Sequence, residues 1–220
     1  MSAQKEDAGS QTLARGLTAL EVIGSAESPM SVAQLCRELG IHRSMAYRLV
    51  KTLEQFGYVD RDAAGGLTLG AKISTLARGV AKTLQEAASP ELAALATRLE
   101  MTAFLAVLDG DDVVTLSSAE PPNAETTIAK RPGSRHSMDK GAPGKVVRSQ
   151  VNPTEFPPAP YELSQDEVIP GVASIAVPLE IPGSQPAALA VIYLPQQVNR
   201  DEIVKALTAA AKRIRLSVGG

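Results

Sequence analysis

The chain has 220 residues, 22 Lys and Arg against 24 Asp and Glu, a net charge of −2, 44% hydrophobic residues and one cysteine. That length and apolar content supply a core to each of two domains. The charge argues against indiscriminate polyanion binding, the lone Cys36 excludes an intrachain disulfide, no Cys/His cluster suits zinc, and no apolar run approaches the roughly 20 residues of a membrane span.

The stretch Met1–Thr12 is polar, reads as a disordered arm and is unlike a secretory signal, so the expected location is the cytoplasm. A first helix is expected over Leu13–Ser25, with Leu13, Leu17, Leu20, Val22 and Ile23 on its apolar side. Ser31 is placed to cap a second helix whose Val32, Leu35, Cys36 and Leu39 share one face. Gly40 then stops the helix in a tight reversal, with Ile41 plugging the angle to a third helix.

In that third helix Met45, Ala46, Leu49, Val50, Leu53 and Phe56 share one arc and are expected in the core. The opposite arc carries Arg43, Ser44, Tyr47, Arg48 and Lys51, with cations and hydrogen-bonding tips but no carboxylate. Arginine forks suit guanine edges, and Ser, Tyr and Lys hold phosphates or read bases according to reach. Taken alone, the same arc reads equally as a solvated charged face. Two short strand-like runs about Gly65-Gly66, from Tyr58 to Leu69, then add a wing with Arg61 as a candidate phosphate contact.

Further along, Lys72–Ala88 reads as a linker helix, and Ser89-Pro90 as the cap and first residue of a new helix running to Glu100, which places a domain boundary there. Strands are expected at Ala103–Leu108 and Val113–Ser117 about an Asp109–Asp112 turn, at Thr126–Lys130, and at Val172–Ile181 and Ala187–Leu194 about Pro182–Pro186. Short and long helices are expected at Gly144–Ser149 and Arg200–Val218, the last with Val204, Leu207, Ala211, Ile214 and Val218 on one side. Strands flanked by helices at both ends point to an α+β domain with an antiparallel sheet over residues 89–220.

The chain resembles the isocitrate-lyase-regulator (IclR) family of bacterial transcriptional regulators. The resemblance rests on Gly16–Ile23, the two helices after Ser31, Gly57-Tyr58-Val59 and Leu67–Gly70, then on Gly144-Lys145, Tyr161–Ser164 and Gly171–Pro178 in the same order. It implies a winged helix-turn-helix over 13–71, a linker helix over 72–88 and a GAF-like effector domain. It implies a homodimer, paired through the first helix and the linker, with dimers pairing again through effector domains. The DNA-binding residues would be Ser31, Arg43, Ser44, Tyr47, Arg48, Lys51 and Arg61, on a pseudo-palindromic double-stranded operator, with repression the favoured mode.

In the family a cup in the sheet takes a small carboxylate or aromatic acid on backbone N–H groups at a helix start, here Gly141–Lys145, where unpaired amides and the helix dipole favour an anion. This chain places Ser164 where relatives carry an acid, Ser174 where cysteine is common, and Val191 and Tyr193 where Ser-x-Ser is usual. With Phe104 and Met138 as apolar walls and Ala142 at the helix start, the candidate effector contacts are Phe104, Met138, Ala142, Ser164, Ser174, Val191 and Tyr193. Two readings stand: an apolar or aromatic effector, or a closed core without one. Between Lys145 and Tyr161 the helices usual in the family are replaced by a stretch with four prolines, a shortened wall.

Nothing in the chain points to an enzyme, a cofactor or a metal: Gly144-Lys145 lacks the rest of a P-loop, His42 and His136 have no evident partner, and Asp109, Asp111 and Asp112 read as turn residues. The alternative to a regulator is a winged-helix interaction module that does not bind DNA specifically.

Overall fold

The structure, a computed structural model, describes residues 10–77, 81–122, 128–195 and 198–218, in two units, Met1–Val80 and Ala81–Gly220. The expected frayed arm lies outside the described residues up to residue 9, and Gln11 and Thr12 already belong to the first helix.

In the first unit, α1 (Gln11–Ser25), α2 (Val32–Leu39) and α3 (Arg43–Gln55) pack about Ala19, Ile23, Val32, Leu35, Ala46, Val50, Val59 and Leu67. Ser31 caps α2 as expected: its hydroxyl accepts from the Gln34 N–H while the Gln34 side chain reaches back to the Ser31 N–H at 2.8 Å. This reciprocal pairing satisfies two donors that the first helical turn otherwise leaves open. Gly40, at φ 60°, takes the left-handed conformation that turns α2 into α3. The strands β1 (Val59–Arg61) and β2 (Leu67–Leu69) form the wing, its turn held by Asp62 accepting from the Ala64 and Gly66 N–H groups, and α4 (Lys72–Ala77) follows.

Two helical stripes differ from expectation. In α1 the buried side is Gly16, Ala19 and Ile23, while Leu13 and Leu17 are 62% and 53% exposed. In α3 Ala46, Leu49 and Val50 are buried, but Met45 and Phe56 are 40% and 67% exposed. Each apolar set is wider than the arc that a small three-helix core covers, so its flanks remain outside.

The second unit begins with α5 (Lys82–Leu99), followed by β3 (Thr102–Asp109), β4 (Asp112–Ala119), β5 (Arg135–Ser137), α6 (Gly141–Val151), β6 (Glu162–Gln165), β7 (Ala173–Pro178), β8 (Ala187–Tyr193) and α7 (Arg200–Val218). The helix expected to start at Pro90 does not: α5 runs through Ser89 and Pro90 without a break, and the expected linker helix is instead α4 and the first part of α5. Leu84, Ala88, Leu92, Leu95 and Ala96 keep one buried stripe across the proline, while Ser89 and Pro90 lie on the exposed side, where the missing hydrogen bond costs least. The expected strand Thr126–Lys130 falls partly outside the described residues, and Ile128–Lys130 is not a strand; β5 and β6 are strands that the sequence reading did not name.

All neighbours in the sheet are antiparallel, in the order β5-β4-β3-β8-β7-β6. Because side chains alternate between faces, the sheet carries two cores. One lies against α5 and α7 and contains Leu105, Ile175, Leu189, Val191 and Leu207. The other lies against α6 and contains Phe104, Ala106, Ala142, Val146, Ala176, Ala190 and Ile192. On the first, Arg213 closes a two-pronged ion pair with Glu91 at 2.7 and 2.6 Å, tying α7 to α5.

Candidate nucleic-acid interface and effector cup

The capped α2 and the left-handed turn at Gly40 present α3 with its polar arc outward. Arg43, Ser44, Tyr47, Arg48 and Lys51 are all exposed. Arg43 donates to the Tyr47 hydroxyl at 3.2 Å, and its guanidinium lies 5.4 Å from the centre of that ring, so these two side chains, one helical turn apart, hold each other in place. No ion pair ties down Arg48 or Lys51 among the described residues. Arg61 is differently placed: it donates to Glu54 at 2.6 Å and to the Gly65 carbonyl at 3.3 Å, so a phosphate would have to compete with a carboxylate for it. The Ser31 hydroxyl is likewise engaged, donating to the Gln34 side chain at 2.7 Å. Cys36 is half-buried against the core of this unit.

In the second unit a small cavity of about 30 Å³ lies between the sheet and the start of α6. It is lined by Phe104, Lys130, His136, Ser164, Ser174 and Ile192 among others. Of the expected contacts, Phe104, Ser164 and Ser174 come together there, and the two serine hydroxyls are hydrogen-bonded at 2.7 Å. Ala142 is buried and its N–H donates to the Ser174 hydroxyl at 3.4 Å. Met138 packs on the same core without lining the cavity. Gly144 is needed beside it: a Cβ there would lie 2.7 Å from the Met138 carbonyl oxygen, a contact that neither backbone can relieve.

Val191 and Tyr193 do not face the cup. Both belong to the core against α5 and α7, and the β8 residue that lines the cup is Ile192, paired with Ser174 and Thr102. The expected alignment was one residue out, and in a strand a single-residue slip turns every side chain to the opposite face.

The groups that sequence reasoning missed are titratable. Lys130 is 7% exposed and its ammonium lies 5.6 Å from the centre of the Phe104 ring; burial lowers its pKa. His136, on β5, has both ring nitrogens buried without a hydrogen-bond partner, and burial followed by the nearby Lys130 charge pushes its pKa down to about 4. Glu167 accepts from the Gly141 N–H at 2.9 Å and from Lys145 at 2.5 Å; burial acts to raise its pKa, but Lys145 and the Gly141 amide outweigh it and hold the carboxyl below its usual range. No sequence signal marks these three: the sheet edge brings Lys130 and His136 to the cavity, and the loop after β6 brings Glu167 to the start of α6 beside it. Among the described residues no cluster of three or more His, Cys, Asp or Glu is placed to hold a metal ion, and no helix is long and apolar enough to cross a membrane.

Residues 12–63 match the IclR helix-turn-helix domain. The chain is 32% identical over 126 residues to the HTH-type transcriptional regulator Rv1719 of Mycobacterium tuberculosis, an alignment covering 56% of this chain and 49% of that protein. It is 26% identical over 174 residues to the DNA-binding transcriptional repressor YiaJ of Escherichia coli, covering 77% of this chain and 61% of YiaJ. The chain thus spans about half to three-fifths of the length of these relatives, which are regulators and not enzymes. In fold it is similar to an IclR transcriptional regulator from Alicyclobacillus acidocaldarius, with a TM-score of 0.84 at 20% identity over 96% of this chain and 100% of that one. It is similar also to an IclR homolog from Microbacterium hydrocarbonoxydans, complexed with 4-hydroxybenzoate, with a TM-score of 0.80 at 22% identity over 95% and 99%. Residues 12–63 thus carry a helix-turn-helix domain of the IclR type, and the fold along the rest of the chain is similar to that of IclR-family regulators.

Proposed function

We propose that the protein is a sequence-specific DNA-binding transcriptional regulator of the cytoplasm, a repressor more than an activator, that inserts α3 into the major groove of a pseudo-palindromic operator. The observation that carries this reading is the polar arc of α3 from Arg43 to Lys51, exposed throughout, with no carboxylate before Glu54, itself paired to Arg61, and preorganised at Arg43 and Tyr47. In this reading Arg48 and Lys51 are the free cations for bases and phosphates, Ser44 supports them, and Arg61 joins only after leaving Glu54. Ser31 contributes through the cap that sets the angle of α2. The exposed Leu13 and Leu17 on α1 support a homodimer, which places two recognition helices about one DNA turn apart, with pairing of dimers as a further level. The second unit senses a small molecule in the cup, and the complex of a relative with 4-hydroxybenzoate supports an aromatic acid as its class.

The test is retention of genomic fragments by the purified protein at about 0.15 M salt, where non-specific phosphate binding is weak. The expected result is enrichment of a short inverted repeat, with Arg48→Ala losing roughly 10- to 100-fold in affinity, the worth of one bidentate base contact. Enrichment of no sequence, or equal retention by Arg48→Ala and Arg43→Ala, would instead favour a winged-helix interaction module.

A further inference from the structure

The start of α6 is the natural place for an anion in this cup, and in this chain it is already filled from within. The Gly141 N–H donates to the Glu167 carboxylate and the Ala142 N–H to the Ser174 hydroxyl, while Pro143 has no N–H to offer. Lys145, one turn along, is spent on the same Glu167 carboxylate and on the Leu163 carbonyl at 2.8 Å. An incoming carboxylate would therefore meet a fixed negative charge where a helix start ordinarily offers free amides.

Lys130, which lines the same cavity, shows the reverse condition. Its side chain is more than nine-tenths buried, it lines the cavity beside Phe104, and no hydrogen bond or ion pair engages it among the described residues. Next to it His136 buries two unpartnered ring nitrogens. A largely buried cation without a counter-charge gains more from an anion than an exposed one, since much of its solvation has already been lost. The remaining lining is largely apolar or hydroxylic, with Phe104 against the ammonium, Val172 and Ile192 elsewhere on the wall, and the Ser164–Ser174 pair, whose Ser174 accepts from the Ala142 N–H, at the α6 side.

We propose that Lys130, with His136 beside it, is the anion anchor of the cup, taking the carboxylate of a small organic acid whose apolar body lies against Phe104 and Ile192. The proposal rests on the effector-sensing reading above and moves the anchor from the start of α6 to the Lys130 side of the cup. The cavity as it stands has room for roughly two waters or a carboxylate of acetate size. A ring-sized acid requires the loop that carries Val168 and Ile169, pinned through Glu167 to Gly141 and Lys145, to lift.

Calorimetric titration of the whole chain with sodium acetate and sodium benzoate tests this, in the wild type, Lys130→Met, Lys130→Arg and Glu167→Gln. Lys130→Met keeps the apolar stem and removes a buried charge, and thermal melting checks that it folds. The expected result is binding to the wild type, at least tenfold weaker in Lys130→Met, retained within about threefold in Lys130→Arg, and not lost in Glu167→Gln, since one charge-assisted contact is worth more than a factor of ten. Binding undiminished in Lys130→Met overturns the anchor while leaving the effector reading in place. Binding of neither acid to the wild type overturns both, and leaves the operator test of the DNA-binding unit untouched.

Discussion

His136 couples the cup to pH through stability. Its ordinary pKa of 6.5 falls to about 4 in the folded chain, first because it is buried and second because Lys130 is near, with Asp112 pulling weakly the other way. The unfolded chain therefore binds a proton between pH 6.5 and 4 that the folded chain refuses, so stability from this group is full above 6.5 and is lost as pH falls toward 4. At 1.36 kcal/mol per tenfold change the ceiling is about 3 kcal/mol, and at pH 5 about 2 kcal/mol. The ring is partly exposed, and solvent screening reduces the pH 5 figure to about 1 kcal/mol. Urea unfolding of the wild type and His136→Leu at pH 7 and pH 5, followed by circular dichroism, measures the difference. The wild type is expected to lose about 1 kcal/mol more than the variant between the two pH values. Equal losses would refute the reasoning, because they would mean that the imidazole titrates in the fold as it does in the unfolded chain.

Tyr193→Ala separates the two faces of the sheet. It is expected to cost about 2–4 kcal/mol of stability in thermal or urea unfolding while leaving the affinity of the folded chain for benzoate unchanged, because the ring belongs to the core against α5 and α7; a selective loss of benzoate affinity without destabilisation would return it to the cup. Pro90→Ala is expected to raise the melting temperature, by about 1–3 kcal/mol of added stability, since it restores an N–H to the interior of α5 on an exposed side. A lowered melting temperature would show that the proline stabilises more by restricting the unfolded chain than it costs the helix.

The N-terminal unit was legible because its signals are local. A serine followed three residues later by a glutamine, a glycine at the end of an amphipathic turn, and a two-glycine turn between short apolar runs each act within a few residues of where they stand. The errors there, at Leu13, Leu17, Met45 and Phe56, concern how wide an apolar stripe the core covers, which depends on partners and not on the helix itself. The break expected at Pro90 had the same origin. Local chemistry favours a helix start at Ser89-Pro90, but the buried stripe from Leu84 to Ala96 gains more by continuing than one missing hydrogen bond costs.

In the second unit the period-two pattern of the strands identified β3, β4, β7 and β8 and the α+β architecture, and the residue types of Phe104, Ser164 and Ser174 marked three walls of the cup. The parity of β8 was not readable, because Val191, Ile192 and Tyr193 are all apolar and both faces of this strand are buried. Nor was the charge of the cup. Lys130 and His136 stand six residues apart and Glu167 some thirty further on, all in an undistinguished context, and what makes them a set is the pairing of β5 with β4 and the return of the loop after β6 over the start of α6. Sequence by itself determined the first three helices, the four long strands, the exposed polar face of α3 and the likeness of residues 12–63 to an IclR helix-turn-helix, since those depend on contacts within a few residues. Which side of β8 looks into the cup, which anion seat is already taken and which cation is left without a partner were decided only by the tertiary structure, because burial and charge pairing belong to residues that meet in space.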